Sequence, residues 1–145
     1  MTAADATGRR RAREAALQML YQTEVGRASA HEAIATYWPA HDPEAGVAEP
    51  LRVFANGLVR GTLDRIKEID EILSATAQNW RIERMAVIDR QVLRLAVFEL
   101  LAEPSTPPRV VINEALELAR SYSGEEAVGF VNGVLDAVRK ELKRE

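Results

Sequence analysis

The segment INEALELARSYSGEEAVGFVNGVLD, residues 112–136, decides the fold class of this chain. Its apolar residues recur every three or four positions, the period of an α-helix, on both sides of a Ser-Gly pair. That pair is typical of a short break, with Ser123 or Gly124 beginning the second helix. The second helix has an apolar seam at Val128, Val131, Leu135, Val138 and Leu142. Phe130 and Asn132 lie on opposite flanks of that seam.

The remaining sequence repeats the helical period and nowhere shows the alternation of a half-buried strand. We predict a first helix from Arg9 to Gly26 and a short second helix that Ser29 caps and Pro39 stops. The residues 39–50 form a loop. Further helices are predicted over 50–78 (with a possible kink at Gly57 or Gly61), 81–103, 109–123 and from 123 or 124 onward. The chain is therefore all-α, with six or seven helices.

Length and composition predict one ordinary globular domain. The chain has 145 residues, 47% of them apolar, and no cysteine. Residues 1–7 are small and polar and are expected to form a disordered arm, which leaves 8–145 as the single domain. No run of about 18 apolar residues could span a membrane, and no secretory segment precedes the first helix. We therefore expect a cytoplasmic protein.

No enzyme class is favoured by the titratable residues. His31 and His41 stand at no metal-ligand spacing, and no glycine-rich phosphate loop occurs. Carboxylates and cations are interleaved over residues 64–71, which is typical of a solvated helix face. No catalytic residue, metal or cofactor is predicted, although nothing in the sequence excludes a catalytic pair of carboxylates.

Four arginines occupy five positions at the start of the first helix, where the helix dipole favours anions. Arg9, Arg13 and Tyr21 lie on one i+4 row beside the buried stripe, together with Leu17. Arg10 lies next to that row, and Arg11 points away from it. Net charge is −3, so attraction to nucleic acid would need such a local basic patch. The alternative is a solvated helix start, balanced in part by a glutamate.

Two further positions leave their role open. Asp89 and Glu99 fall within an apolar arc, so each needs an internal partner or a second protein. Phe130 is either a peripheral core residue or a ring that stacks on a base.

Several stretches together resemble the NusB family of bacterial transcription antitermination factors. They are RRRARE with ALQ.LYQ.E (residues 9–24), IDRQVLRLAVFELL (88–101), VINEALELA (111–119) and FVNGVLD (130–136). The resemblance covers nearly the whole chain in the same order. It implies an all-helical protein of about seven helices, built as two three-helix bundles packed across each other.

The resemblance also implies a function without catalysis. Proteins of this family form a heterodimer with the ribosomal protein NusE and bind the single-stranded boxA element of nascent RNA. They help to assemble the antitermination complex on RNA polymerase, notably during ribosomal RNA transcription. In the family, the arginine-rich helix start faces RNA phosphates, which explains cations at that end of a helix.

The family's binding residues can be carried over position by position. The RNA-contacting set implied here is Arg9, Arg10, Arg11, Arg13, Gln18, Phe130 and Asn132. The NusE-facing set is Tyr21, Asp89 and Glu126. The residue before Phe130 can be basic in the family but is Gly129 here, so one phosphate contact is expected to be missing.

Two alternatives remain beside this function. A domain of this kind occurs fused to ribosomal RNA methyltransferases, so the chain could be a stand-alone relative of such a domain. It could also be a self-associating interaction module, a homodimer that hides its own arginines.

Overall fold

Every regular element of the described chain is helical. The computed structural model describes residues 3–42, 44, 46–77 and 81–144, and only the backbone of residues 3–7. The α-helices are α1 Ala3–Val25, α2 Ala30–His41, α3 Glu49–Asp64, α4 Ile66–Thr76, α5 Val87–Ala102, α6 Pro108–Tyr122 and α7 Glu125–Glu141. A 3₁₀ turn, Ile82–Arg84, lies between α4 and α5. The all-α prediction is confirmed.

The chain divides into two compact units, an N-terminal unit of Met1–Leu63 and a C-terminal unit of Asp64–Glu145. Whether they act as the single domain predicted for 8–145 stays a prediction. The predicted disordered arm, 1–7, falls on Met1 and Thr2, outside the described residues, and on a backbone stretch that continues α1. The prediction of disorder for these residues is not tested by that backbone.

The N-terminal unit holds α1, α2 and α3. The apolar stripe of α1 is fully buried, as its period predicts: Ala12, Ala15, Ala16, Met19 and Leu20. The predicted cap of α2 is confirmed as a capping box, in which Ser29 Oγ accepts from Glu32 N–H and Glu32 Oε1 accepts from Ser29 N–H. Trp38 Nε1 donates to Asn56 Oδ1 at 3.0 Å and ties α2 to α3.

The C-terminal unit is built around α5, whose residues 90–100 are all buried. Arg94 of α5 forms a bidentate ion pair with Asp70 of α4, with both N···O distances at 2.8 Å. The seam predicted for α7 is confirmed, since Val131, Leu135 and Val138 are buried. Gly124, before α7, has φ +128°, a backbone region that residues with a side chain rarely adopt.

The structure differs from the predicted helices at three places, one of which is the start of α5, where a 3₁₀ turn and two further residues replace the predicted first turns. The helix α2 continues past Pro39 to His41, because the missing N–H falls in the last turn and costs only one hydrogen bond while Tyr37 and Trp38 remain buried. No break occurs at Gly57 or Gly61, which both lie inside α3. The buried stripe of α3 runs past both glycines, and the chain turns only at Arg65, next to the start of the second unit at Asp64.

Candidate nucleic-acid interface

The arginines at the start of α1 pack on an aromatic ring of α3. The guanidinium carbon of Arg9 lies 4.4 Å from the Phe54 ring centroid, and that of Arg13 lies 5.5 Å from it. Both distances fall within the range of a cation–π interaction, which reaches about 6 Å. One half-buried ring therefore positions two cations that are four residues apart on α1.

A second aromatic group, in α2, engages the neighbouring face of α1. Arg11 Nη1 donates to the Tyr37 hydroxyl at 3.1 Å, and that hydroxyl donates to Gln18 Oε1 at 2.9 Å. The His41 ring stacks on Tyr37 with centroids 4.2 Å apart. Arg11 points away from the arginine row, and its hydrogen bond to Tyr37 holds it in place within the protein.

Both interpretations of the arginine row, an RNA-facing row and a solvated helix start, place it on the surface, but the structure buries part of it. Arg10 is exposed and Arg9 is half-buried, but Arg13 is only 3% exposed and Leu17 is fully buried. Tyr21, at the other end of the row, is exposed at 36%. The expectation that Arg13 is a surface residue is wrong, because its position on the wheel borders the buried stripe and Phe54 covers it. Its RNA contact stays a prediction.

In the C-terminal unit, the structure brings three of the predicted residues to one cavity. Asp89, Glu126 and Phe130 line a cavity of about 290 Å³, together with Arg84. Asp89 Oδ1 is buried and has no hydrogen-bond partner among the described residues. No ion pair of Asp89 is found among these residues either, so this carboxylate oxygen is left unsatisfied.

Asn132 lies apart from that cavity. It is exposed and lines a second cavity, between α6 and α7, with Arg109 and Asn113. Two residues along a helix are about 200° apart, so Phe130 and Asn132 cannot share one pocket. The predicted RNA and partner residues thus fall into two groups, one in each unit: Arg9, Arg10, Arg11, Arg13, Gln18 and Tyr21 in the first, and Asp89, Glu126, Phe130 and Asn132 in the second.

Sequence reasoning missed the two aromatic residues that order the arginines. Phe54 and Tyr37 belong to other helices, and helical periodicity identifies a buried face without naming what packs on it. Both were visible only as apolar residues of α2 and α3. Among the described residues no cluster of three or more His, Cys, Asp or Glu could hold a metal ion. No helix of that part of the chain is long and apolar enough to cross a membrane.

The comparison with known proteins decides the family. The sequence matches the model of the NusB family over residues 10–140. The chain belongs to the NusB family. It is 47% identical to the transcription antitermination protein NusB of Anaeromyxobacter dehalogenans (strain 2CP-1) over 134 residues, which cover 92% of each protein.

Solved NusB structures share the fold. T. maritima NusB superposes with a TM-score of 0.81 at 35% identity, covering 92% of this chain and 91% of that one. A crystal structure of the antitermination factors NusB and NusE in complex with dsRNA gives a TM-score of 0.82 at 29% identity, covering 93% of this chain and 98% of that one. The predicted NusB-like fold is confirmed. So is the prediction that the chain is not an enzyme, since NusB proteins are transcription antitermination factors without catalytic activity.

Proposed function

We propose that this NusB-family protein is an RNA-binding adaptor that acts together with NusE on single-stranded, boxA-type RNA. The observation that carries the proposal is the arrangement of Arg9 and Arg13 on the Phe54 ring. Ordering these long side chains in the free protein reduces the entropy that RNA binding would otherwise have to supply. In this account Arg10, the exposed member of the cluster, contacts phosphate first.

The partner is proposed to dock on the cavity lined by Asp89 and Glu126. A carboxylate oxygen that is buried without a hydrogen bond is costly, and a cation of a basic ribosomal protein would satisfy it. Exposed Tyr21 is proposed to face NusE from the N-terminal unit. One solved relative is a complex of NusB with NusE and double-stranded RNA, which supports the pairing of both partners in one assembly.

A net charge of −3 predicts weak RNA binding by the chain alone. NusE would extend the positive surface, and the heterodimer would join the antitermination complex on RNA polymerase in the cytoplasm, notably on ribosomal RNA transcripts. Neither a homodimer nor a methyltransferase-type RNA domain is favoured by an observation of the described residues.

Fluorescence anisotropy tests this function. A labelled single-stranded boxA-type RNA of about 12 nucleotides, within the usual site sizes, is titrated with the chain, with NusE and with both. The proposal expects tighter binding by the pair than by either protein. Equal RNA affinity of the chain with and without NusE would contradict the proposal. So would a dimer of the chain, seen by size-exclusion chromatography, that does not dissociate when RNA is added.

A further inference from the structure

We propose that the cavity between α6 and α7, in the C-terminal unit, is a second RNA site, which binds one nucleotide of a single strand. The inference rests on the proposed RNA-binding function and deepens it. The cavity measures about 500 Å³, within the range of about 300–1,000 Å³ typical of small-molecule sites. The residues that matter in its lining are Pro107, Pro108, Arg109, Asn113, Asn132 and Arg139.

Three polar side chains of this cavity are uncommitted. Arg109, Asn113 and Asn132 are exposed, and within the described part of the chain none of them has a hydrogen-bond or ion-pair partner. An arginine and two asparagines that converge on one cavity without protein partners are a ready set of donors and acceptors. Because they are exposed, water solvates them in the free protein and a ligand can replace that water.

Arg139 plays a different part, because its charge is already balanced. Its Nη2 lies 2.9 Å from Asp136 Oδ1, and its Nη1 donates to the backbone oxygen of Arg144 at 3.2 Å. The hydrogen bond from Arg139 holds the pKa of Asp136 below its usual value, so Asp136 stays ionised at neutral pH. Arg109 is thus the cation of this cavity that remains open to a phosphate.

These groups match a nucleotide better than a simple anion. A guanidinium binds a phosphate, whereas the amide of asparagine both donates and accepts and so suits the edge of a base. Pro107 and Pro108 add rigid apolar walls against which a base can pack. No carboxylate lines the cavity among the described residues, and the nearby charge of Asp136 is balanced by Arg139 and Lys140.

The surface of α7 provides a path between this cavity and Phe130. At about 100° per residue, Gly129 and Gly133 lie on the helix surface between Asn132 and Phe130. A Cβ at either glycine would meet nothing within 4 Å, so packing within the protein does not require glycine. Glycine inside a helix lowers helix propensity, and because it has no side chain, another backbone can approach the helix closely there. A strand stacked on Phe130 could therefore cross α7 over these glycines and enter the cavity.

Three substitutions test the site with the full chain and NusE, using the boxA-type RNA above. Arg109→Gln should remove one phosphate contact, which flattens the log–log salt slope by about 0.7 and weakens binding about 5-fold at 0.1 M salt. Asn113→Ala should weaken binding without changing the slope. Arg120→Gln is the matched control, since this exposed α6 arginine pairs with Glu117 and Glu125 outside the cavity and should leave RNA affinity unchanged.

Gly133→Ala gives a readout that a structural role would not produce. Alanine should raise the melting temperature, because it is the better helix former, and at the same time weaken RNA binding. A variant that is more stable and binds RNA as the wild type does would overturn the path across α7.

The outcomes separate this site from the proposed function. If the wild type binds RNA but Arg109→Gln and Asn113→Ala bind it equally well, the cavity is not an RNA site and the proposed function stands. If they lose NusE instead of RNA, the cavity is a protein site and the inference fails. If a free nucleoside monophosphate competes for the cavity as strongly as the RNA does, the cavity is a mononucleotide site. That outcome also contradicts the inference. No RNA binding by the wild type with NusE would overturn both proposals.

Discussion

The start of α1 and the surface shared by α6 and α7, the two proposed RNA sites, hold their polar groups in different ways. In α1, the protein's own aromatic rings hold the cations: Phe54 carries Arg9 and Arg13, and Tyr37 carries Arg11. On α6 and α7, amides and one arginine have no partner among the described residues. The first site combines charge with internal packing, whereas the second leaves its polar groups to a ligand. Substitution of an arginine that packs on a ring should therefore affect stability and binding together, whereas substitution of Arg109 or Asn113 should affect binding alone.

The largest expected effect concerns a third kind of group, the half-buried carboxylate of Asp89. We expect Asp89→Lys to weaken the heterodimer with NusE by about 2–5 kcal/mol, because a partner cation would then face a like charge. Calorimetric titration with NusE measures this loss. RNA binding by the isolated chain should not weaken, since the arginines of α1 are untouched and the substitution adds a cation beside Phe130. Normal NusE binding by a destabilised Asp89→Lys protein would show that Asp89 serves the fold and not the interface.

Arg13→Ala tests whether the cations of α1 are packed in the protein or form only a solvated helix start. We expect it to lower the free energy of unfolding by about 2–3 kcal/mol, because it removes a desolvated cation–π contact and the packing of a buried side-chain stem. Thermal unfolding followed by circular dichroism measures the change. Arg10→Ala, on the same helix but exposed, is the matched control and should stay within about 0.5 kcal/mol of the wild type. Equal stability of the two variants would refute the packed role of Arg13.

Phe130→Ala tests the other side of the comparison. If the ring stacks on a base, RNA affinity falls by about 1–3 kcal/mol while stability changes little. Phe98→Ala is the matched control in the same unit, because Phe98 is buried and its loss should cost about 3–5 kcal/mol of stability. RNA anisotropy and thermal melting of both variants separate the roles. A Phe130→Ala protein as destabilised as Phe98→Ala, with normal RNA binding, would place Phe130 in the core.

The smallest effect is expected from Phe54→Leu, which keeps an apolar side chain but removes the ring. RNA affinity should fall by about 0.5–1 kcal/mol, since Arg9 and Arg13 lose a cation–π contact and become less ordered. Phe54→Tyr should retain the affinity, because the ring face is kept. If the Phe54→Leu and Phe54→Tyr variants bind RNA equally well, the ring does not position the arginines.

The sequence predicts the helices far better than it predicts how the site is held. Local signals such as the apolar period of α1 and the cap at Ser29 are confirmed, because both depend on residues close in sequence. Pro39 misleads, since the penalty of a proline depends on how many turns follow it. Each of these features is decided within one helix.

The burial of Arg13 could not be predicted from residues close to it in sequence. Its partner ring, Phe54, lies on a different helix, and a basic residue next to an apolar stripe is equally compatible with solvent or with packing. The uncommitted state of Asn113 and Asn132 is likewise a property of the folded surface. The family resemblance supplied Asn132, but neither periodicity nor resemblance indicated Arg109 or Asn113 as its neighbours.

The salt dependence of RNA binding tests the central claim, that the arginines at the start of α1 contact RNA phosphates. Affinity is measured at several salt concentrations for the wild type, for Arg9→Gln with Arg10→Gln, and for the control Arg60→Gln, an exposed arginine of α3. Two lost phosphate contacts should flatten the log–log slope by about 1.4 and weaken binding about 25-fold at 0.1 M salt, while the control keeps the wild-type slope. Parallel lines for the wild type and the double variant would mean that these arginines do not contact the RNA backbone.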